Sequence, residues 1–581
     1  MVRAENLSFG FADKELYHNI SFCLESGKHC ALIGGNGTGK TTLTDMICNP
    51  SAYIYDGKLT ITGLGRVGRV NQFAPREDDQ NRTVMDELRR DFIKLEEDTA
   101  KVCAQMEDAD DFDGLLLRYQ ELLDEAESMD AEHSETNIHR QLHLADLENK
   151  AELPLRLLSG GEYKLVQIMR QMLRRPGLLI MDEPDVFLDF ENLNGLRDLI
   201  NGYEGTLLVI THNRYLLGHC FNQIWHLENT DLQEFDGNFT EYRLSLLRRK
   251  IEMQEQEGKE TTEIQRVTKM VDRLREEATE VIDPNKGRTL KGKVTYLERL
   301  KSRQIKAPFV EIRRPNIRLP EVNEDVTDEP LLVVNDLSLV FQKPLMEHIH
   351  FAVHDGEKVA IVGPNGTGKT SLLRLIKQNS TPGIHFASRA RVGWFSQLQE
   401  TLPAEGSIYD MFDIPQFKNH DEIAEYLQGY GFDSDFLHRS VNKLSGGERN
   451  LLQLARLGVE DCNLLLLDEP SSHLDTYAQV ALEQALKTYK GAVLMVSHDF
   501  YSIANCADTI LYIDDGTLRS MSPRAFRKMV YKHHFRQEYL ELENKKQLLE
   551  MEIDSYLEHG QTEWAKARLA ELANVVEKLS N

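Results

Sequence analysis

The stretch GGNGTGKT at residues 34–41 and its near copy GPNGTGKT at residues 363–370 decide the fold of this chain. Each follows a short apolar run, residues 31–33 and 359–362, and each leads into a segment of helical character. Glycines in such a loop let backbone N–H groups wrap phosphate groups at the N-terminus of a helix. The sequence therefore predicts two strand–loop–helix units that bind phosphates, and with them an α/β fold.

The residue types within each loop predict which groups contact the nucleotide. Lys40 and Lys369 are expected to reach the β- and γ-phosphates of ATP. Thr41 and Thr370 are expected to offer hydroxyl ligands to Mg²⁺. The other predicted nucleotide contacts in the loops and helix starts are Gly34, Asn36, Gly37, Gly39, Thr42, Gly363, Asn365, Gly366, Gly368 and Ser371.

Two strongly apolar runs end in the carboxylate pairs Asp182-Glu183 and Asp468-Glu469. Runs of this kind are typical of strands in a parallel sheet that is covered on both faces. Asp182 and Asp468 are predicted to help hold Mg²⁺, and Glu183 and Glu469 to orient or deprotonate the attacking water. The alternative is that these carboxylates only cap the following helices.

One histidine follows each carboxylate pair at the same spacing, since His212 and His498 lie 29 residues after Glu183 and Glu469. A lone histidine is usually structural, but the matched spacing predicts a contact to the γ-phosphate at each site. The remaining predicted contacts are Gln72 and Gln397 for Mg²⁺ and water, and Phe11 and Phe341 for stacking on adenine, where a place in the core would explain the phenylalanines nearly as well.

The motifs form an internal repeat with one large insertion. The lysines of the two phosphate loops are 329 residues apart, whereas the two Leu-Ser-Gly-Gly-Glu runs, the acid pairs and the histidines are each 286 apart. The first unit therefore carries 43 extra residues, which we place within residues 84–150. Apolar residues at helical spacing predict a helical arm there. Its middle, residues 96–131, holds thirteen acidic and two basic residues.

A charged and glycine-poor segment between the two units predicts a helix–turn–helix linker. The whole chain has a formal net charge of −26, but residues 281–320 hold eleven Lys/Arg and three acids, a net charge of +8. Such a segment either supplies salt-sensitive contacts to phosphates or is a simply solvated cluster. The predicted segments are a first domain at 1–239, the linker at 240–320, a second domain at 321–530 and a helical tail at 531–581.

Composition narrows the class of protein. Every apolar run is far shorter than the ~20 residues of a membrane helix, and the first residues lack the apolar stretch of a signal peptide. Seven cysteines, scattered and without CxxC spacing, indicate neither a disulfide framework nor a zinc site. We therefore expect a cytoplasmic protein without direct membrane insertion.

The ordered motifs together resemble the ATP-binding cassette superfamily, and the resemblance covers nearly the whole chain. Two cassettes without membrane spans, an inserted arm, a charged linker and the run FDGNFTEY at 235–242 resemble its ABC-F subfamily. The resemblance implies a monomeric ATPase that uses ATP and Mg²⁺ and whose cassettes pair head to tail within one chain. In that pairing Ser445, Gly446 and Gly447 complete the site at Lys40, and Ser159, Gly160 and Gly161 complete the site at Lys369.

The subfamily resemblance also implies partners. ABC-F proteins couple cassette closure to the ribosome, so rRNA, tRNA and ribosomal proteins are the expected partners, for a translation factor or an antibiotic-resistance ribosomal protection protein. RNA phosphates would repel the acidic arm, which favours a basic protein surface as its partner; a solvated arm without a partner is the alternative. Other functions that the motifs allow are the ATPase subunit of a membrane transporter, a DNA-associated ATPase of the repair type, or a regulatory module that holds ATP without turnover.

The first copy departs from the family pattern directly after its catalytic acid. The family pattern after Asp-Glu-Pro is close to Thr-Asn-His-Leu-Asp, and residues 471–475 keep it as SSHLD. Residues 185–189 read DVFLD, so that an apolar pair replaces a polar residue and the histidine. We expect two unequal sites, with the first slower or differently coupled, and the divergence favours a specialised, resistance-like protein; neutral divergence is the alternative.

Overall fold

The chain divides into two compact units, which the computed structural model describes separately. The first combines Met1–Asp236 with Arg313–His533, and the second combines Gly237–Ile312 with His534–Asn581. The predicted segment boundaries remain predictions. The structure describes residues 1–11, 14–63, 65–71, 81–106, 112–186, 188–280, 291, 293–297, 315–322, 328–340, 344–397, 402, 406–432, 436–514, 516–531 and 537–580.

The strands of the first unit occur in two similar sets, one for each cassette. The first set is β1 Val2–Phe11, β2 Lys14–Leu24, β3 His29–Ile33, β4 Asp56–Ile61, β5 Val67–Val70, β6 Leu178–Asp182, β7 Thr206–Ile210, β8 Gln223–Glu228 and β9 Asp231–Asp236. The second set is β10 Pro330–Val340, β11 Pro344–His354, β12 Lys358–Val362, β13 Ile384–Phe386, β14 Val392–Phe395, β15 Leu464–Asp468, β16 Ala492–Val496, β17 Thr509–Asp514 and β18 Thr517–Met521.

The helices alternate with these strands, as expected for parallel sheets. The first cassette contains α1 Lys40–Cys48, α2 Val84–Met106, α3 Phe112–Ser128, α4 Ser134–Leu144, α5 Gly160–Leu173, α6 Phe190–Asn201 and α7 Arg214–His219. The long helix α8 spans Phe239–Glu280. The second cassette contains α9 Lys369–Gln378, α10 Ile408–Phe412, α11 His420–Gln428, α12 Gly446–Gly458, α13 Thr476–Thr488, α14 Phe500–Cys506 and α15 Pro523–Tyr531. The C-terminal helices are α16 Gln537–Glu558 and α17 Thr562–Ser580.

Each cassette is built on a six-stranded sheet, in the order β5-β6-β7-β3-β8-β9 and, in the second, β14-β15-β16-β12-β17-β18. All pairs are parallel except the last one in each sheet. A three-stranded antiparallel sheet, β2-β1-β4 or β11-β10-β13, accompanies each. This architecture confirms the predicted α/β fold of two phosphate-binding cassettes. It also brings the carboxyl ends of β3, β6 and β7, and of their counterparts, to one edge, which carries the phosphate loops, the acid pairs and the two histidines.

The insertion in the first cassette is helical, as predicted, and ionic contacts anchor its base. Glu87 of α2 is nearly inaccessible and accepts hydrogen bonds from Arg170 at 2.7 Å and Arg82 at 2.8 Å. One turn further, Asp91 pairs with Arg170 at 3.0 Å. Beyond this base α3 packs back on α2 and buries only Leu122 among its residues. The base of the arm thus belongs to the cassette core, while its far end is largely exposed.

The second unit is a bundle in which α8 packs with α16 and α17. Its apolar core consists of Leu247, Ile251, Leu549, Ile553, Leu557, Ala565, Leu572, Val575 and Val576. Asp554 of α16, only 4% exposed, faces Lys250 at 3.4 Å and Arg243 at 3.8 Å on α8. The predicted helical tail therefore folds onto the first linker helix. Most of the predicted basic segment lies outside the described residues.

Candidate active sites

The phosphate loops connect β3 to α1 and β12 to α9 and have nearly the same backbone conformation in both cassettes. Gly39 and Gly368 precede the helices with φ of 100° and 95°, which side-chain-bearing residues rarely adopt. A Cβ atom at Gly39 would lie 2.9 Å from the Tyr17 hydroxyl, and one at Gly368 would lie 2.6 Å from Leu339. Glycine is therefore required at this position of each loop by both conformation and space.

The two loop lysines are buried and point into their own loops. Lys40 Nζ donates to the carbonyls of Gly34 and Gly35 at 2.9 Å. Lys369 Nζ makes the equivalent pair of bonds, to Gly363 and Pro364, at 2.8 Å. Burial lowers the pKa of both lysines, although neighbouring carboxylates oppose that shift. Both ammonium groups therefore lie where a phosphate held by the loop would relieve the cost of their burial.

The predicted Mg²⁺ ligands come together in both cassettes. Thr370 Oγ1 donates to Asp468 Oδ1 at 2.9 Å, and Thr41 makes the equivalent hydrogen bond to Asp182. Hydroxyl and carboxylate oxygens beside a phosphate loop fit Mg²⁺, which takes few protein ligands together with phosphate oxygens. Within the described part of the chain no cluster of three or more His, Cys, Asp or Glu side chains could hold a metal ion by itself.

The two candidate general bases follow β6 and β15 with left-handed backbone angles, φ 45° for Glu183 and 50° for Glu469. Glu469 Oε2 accepts from the backbone N–H of His498 at 3.1 Å, and His498 Nε2 lies 3.5 Å from Oε1. Burial, reinforced by Asp468, raises the pKa of Glu469 above that of an ordinary glutamate. A raised pKa suits a group that accepts a proton from water.

The two histidines at the ends of β7 and β16 are held in the neutral form. Burial lowers the pKa of His498 to about 3, with a contribution from Lys369. The pKa of His212 is also far below the usual value, because of burial and the charge of Lys40. A neutral imidazole beside the lysine can donate one hydrogen bond, as a contact to the γ-phosphate requires.

The remaining predicted contacts divide between described and undescribed residues. Gln397 follows β14 and lines one cavity together with Glu469 and His498. Phe11 ends β1, is 56% exposed and contacts Phe9 with ring centroids 5.3 Å apart, so its outer face is open to a ligand. Gln72 and Phe341 lie outside the described residues.

Ser159 and Ser445 form the N-caps of α5 and α12, each in a capping box with the glutamate three residues later. The helix N-termini that follow, at Gly160-Gly161 and Gly446-Gly447, are suited to receive an anion. The second of these approaches the opposite phosphate loop, because a Cβ atom at Gly447 would collide with the side-chain amide of Asn36.

A hydrogen bond connects each phosphate loop to the opposite cassette. Asn36 Nδ2 donates to the carbonyl oxygen of His473 at 3.1 Å. In the other direction, the backbone N–H of Asn365 donates to Asp189 Oδ2 at 2.9 Å. The cassettes thus face each other in the head-to-tail sense. At the second phosphate loop, this contact with the opposite cassette is made by Asp189 and not by the run that begins at Ser159.

Sequence reasoning missed a buried ion pair between the cassettes. Arg214 forms ion pairs with Glu483 and, at 3.4 Å, with Asp499, and its guanidinium lies 4.4 Å from the ring centre of Tyr501. The repeat contains one signal for this position, because the counterpart of Arg214, 286 residues later, is Phe500 and not a basic residue. Phe500 packs instead in an aromatic cluster with Phe190 and Phe526. One half of the interface is therefore ionic and the other aromatic.

A second missed feature is a set of two charged residues, Lys164 and Asp185, that interact electrostatically with each other and with Glu183. Lys164 donates to the carbonyl of Asn71, and burial lowers its pKa to about 8 against the attraction of Asp185. Asp185 accepts from Thr211 Oγ1 at 2.7 Å, and burial raises its pKa to about 6. The counterpart of Lys164 in the repeat is Asn450, which donates to Ser472. The first cassette thus carries charges where the second carries neutral polar groups.

Comparison with known proteins identifies the family of both cassettes. A family model described as ABC transporter matches residues 17–186 and 346–472. The chain is similar to the uncharacterized ABC transporter ATP-binding protein YfmM of Bacillus subtilis, with 27% identity over 86% of this chain and 96% of that protein. It is also similar to the ribosome protection protein VmlR of Bacillus subtilis, with 26% identity over 89% of this chain and 87% of VmlR.

A solved structure shares the tandem-cassette fold. It is the crystal structure of the complex of archaeal ribosomal stalk protein aP1 and archaeal ribosome recycling factor aABCE1, with a TM-score of 0.50 and 18% identity over 91% of this chain and 92% of that chain. Among the described residues no helix has the length and apolarity needed to cross a membrane. The predicted pair of ATP-binding cassettes is confirmed by the family match and the fold together.

Proposed function

We propose, from the premise that this chain belongs to the ABC transporter family, that it is an ATPase whose cassette closure acts on the ribosome in the cytoplasm. Membership follows from the two segments that match the family model, just over half of the chain, and the cassettes of that family hydrolyse ATP. The observation that supports the ribosomal part of the proposal is the similarity to VmlR, which is named a ribosome protection protein, over 89% of this chain and 87% of VmlR.

At each site we assign roles by the groups that meet at the edge of the sheet. Lys40 and Lys369 bind the β- and γ-phosphates, while the loop N–H groups hold the remaining phosphate oxygens. Glu183 and Glu469 orient and deprotonate water for attack on the γ-phosphorus, and His212 and His498 donate to the γ-phosphate. When bound, Mg²⁺ would neutralise phosphate charge beside the Thr41–Asp182 and Thr370–Asp468 pairs.

ATP binding would stabilise the closed pairing of the cassettes. A γ-phosphate held by Lys40 lies where the helix N-terminus at Gly446-Gly447 of the opposite cassette can also bind it. Hydrolysis removes this shared phosphate. Because only the closed state makes the contact, its loss shifts the equilibrium toward the open state. The pairing occurs within one chain, and we therefore propose a monomer.

The elements between the motifs support the ribosome over the alternatives. The charged linker and the inserted arm have no evident use in the ATPase subunit of a transporter. Eleven basic residues in 281–320 provide phosphate contacts that a protein with a net charge of −26 otherwise lacks. The acidic far end of the arm is better suited to a basic ribosomal protein than to RNA, because RNA phosphates would repel it.

Sedimentation of a trapped variant tests the proposal. The double variant Glu183→Gln, Glu469→Gln removes both general bases and should hold ATP in the closed state. In lysate with ATP we expect it to sediment with ribosomes, while the same variant with Lys40→Ala and Lys369→Ala stays in the supernatant. Recovery with membranes or with DNA, and not with ribosomes, would reject the proposal in favour of a transporter or a repair-type ATPase.

Growth of cells that express the wild-type chain, in the presence of drugs that bind the large ribosomal subunit, then separates two roles. Protection that depends on Glu183 and Glu469 supports a resistance protein. Ribosome binding without any protection supports a translation factor.

A further inference from the structure

The loop after each catalytic acid serves the opposite cassette. We call residues 185–189 the first D-loop and residues 471–475 the second D-loop. Asp189 of the first accepts from the backbone N–H of Asn365, and the carbonyl of His473 in the second accepts from Asn36 Nδ2. The divergent sequence of the first D-loop therefore bears on the second phosphate site as well as on its own.

The side chain of His473 reaches the general base of the first cassette. Its Nδ1 lies 3.9 Å from Glu183 Oε2, and both side chains are largely shielded from solvent, with exposures of 17% and 21%. The imidazole packs over Gly446, where a Cβ atom would lie 3.4 Å from the ring. His473 also adopts a left-handed backbone conformation, φ 58°. Glycine at position 446 thus leaves room for the ring, and the backbone of His473 adopts a conformation that is uncommon for a residue with a side chain.

We infer that His473 is a positioning residue for the first site, and that it acts across the cassette interface by holding the carboxylate of Glu183 toward the phosphates bound at Lys40. Hydrogen bonds of catalytic groups are often long without substrate and tighten in the reacting complex. The same residue holds the phosphate loop through its carbonyl oxygen. One residue of the second cassette therefore orients both the base and the phosphate loop of the first.

The second site differs at this point. In the repeat, position 187 of the first cassette corresponds to His473 of the second. The residue at position 187 is phenylalanine, and it lies outside the described part of the chain. Phenylalanine has no group that can hydrogen-bond a carboxylate. The inequality of the two sites thus arises in trans: Glu183 has His473 of the opposite cassette beside it, whereas the histidine beside Glu469 is His498 of its own cassette. This inference rests on ATP hydrolysis at the two sites and is independent of the ribosomal part of the proposed function.

Single-site backgrounds test the inference by ATP turnover measured without ribosomes. In Glu469→Gln only the first site can turn over, and in Glu183→Gln only the second can. We expect His473→Phe to lower kcat about tenfold in the Glu469→Gln background, with KM changed less than about twofold, and to leave the Glu183→Gln background unaffected. His473→Asn, which keeps a hydrogen-bonding group, should recover most of the lost kcat.

Matched variants separate positioning from folding. His420→Phe makes the same substitution at an exposed residue of α11 and should change neither rate nor thermal stability. Phe187→His should raise kcat in the Glu183→Gln background, since it offers Glu469 a histidine from the opposite cassette, as His473 does for Glu183. An equal loss from His473→Phe in both backgrounds, a loss confined to KM, or no turnover at all in the Glu469→Gln background would overturn the inference. Ribosome sedimentation stays a separate measurement, so the two proposals can fail independently.

Discussion

The neutral histidines at the two active sites give the protein a calculable sensitivity to acid. In the unfolded chain a histidine takes up a proton near pH 6.5, whereas burial lowers the pKa of His498 to about 3 in the folded state. Between these values the unfolded state binds more protons, so stability falls as the pH falls, by about 1.4 kcal/mol per unit. We expect the thermal midpoint of His498→Asn to fall less than that of the wild type between pH 7.5 and 5.5. Equal shifts would contradict the assignment.

The ion pair of Arg214 with Glu483 shows how much a single buried charge matters at the cassette interface. Glu483 is only 3% exposed, and Arg214→Ala would remove its main partner, leaving Asn505 at 3.2 Å. Removing one partner of a buried pair costs about 3–5 kcal/mol. We expect a loss of this size in chemical denaturation of Arg214→Ala. The double variant Arg214→Met, Glu483→Leu should lie closer to the wild type than Arg214→Ala, because it also removes the buried carboxylate of Glu483, while Asp499 keeps its hydrogen bonds from Ser502 and the backbone of Tyr501.

An exposed pair of similar chemistry provides the control. Arg118 and Glu121 lie 2.7 Å apart on the surface of α3, with both side chains more than half exposed. Because water and salt screen such pairs, Arg118→Ala should change the stability by less than about 1 kcal/mol. A loss as large as that of Arg214→Ala would mean that burial is not the cause of the difference.

At the scale of elements, the C-terminal hairpin of α16 and α17 covers the apolar side of α8. Ile553 is fully buried between the helices and Leu572 packs in the same core. Ile553→Asp places a charge in this core and should open the bundle, so that proteases cut within residues 239–280. The basal ATPase activity should be retained, because the first compact unit has its own apolar cores. Leu548→Asp, at a residue that is 58% exposed on the same helix, should leave the cleavage pattern unchanged. Loss of ATPase activity with the bundle would contradict the independence of the two units.

Elements with a local signal could be predicted from the sequence, and the side-chain contacts between the two cassettes could not. The phosphate loops, the acid-tipped strands and the arm each depend on a periodicity or a fixed spacing within about 30 residues. The contact of His473 with Glu183 joins residues far apart in the chain, and no local pattern specifies which side chains of two repeats will face each other. The packing of the tail on α8 escaped prediction for the same reason. Only the offset of 286 residues hinted at Arg214, by setting it against Phe500.

At the scale of the whole molecule, charge restricts where a polyanion can bind. A chain with a net charge of −26 is repelled by RNA over most of its surface, so contacts to phosphates must be concentrated in the segment 281–320, with its net charge of +8. Binding to ribosomes should therefore weaken with salt in proportion to a small number of phosphate contacts, and these contacts should all come from that segment.

The salt dependence of sedimentation with ribosomes measures the number of phosphate contacts. We expect the trapped double variant to lose affinity linearly in the logarithm of the salt concentration, and replacement of Lys286, Arg288, Lys291 and Lys293 by glutamine to reduce the slope by up to about 3, since each lost contact removes roughly 0.7 from the slope for single-stranded RNA. Four exposed basic residues outside the linker serve as the matched control when changed to glutamine: Arg3, Lys58, Lys443 and Arg519. If the control variant reduces the slope as much as the linker variant, the whole surface contributes and the linker has no special role. If neither the linker variant nor the control variant changes the slope, the ribosome is bound through protein contacts, and the acidic arm becomes the element to remove next.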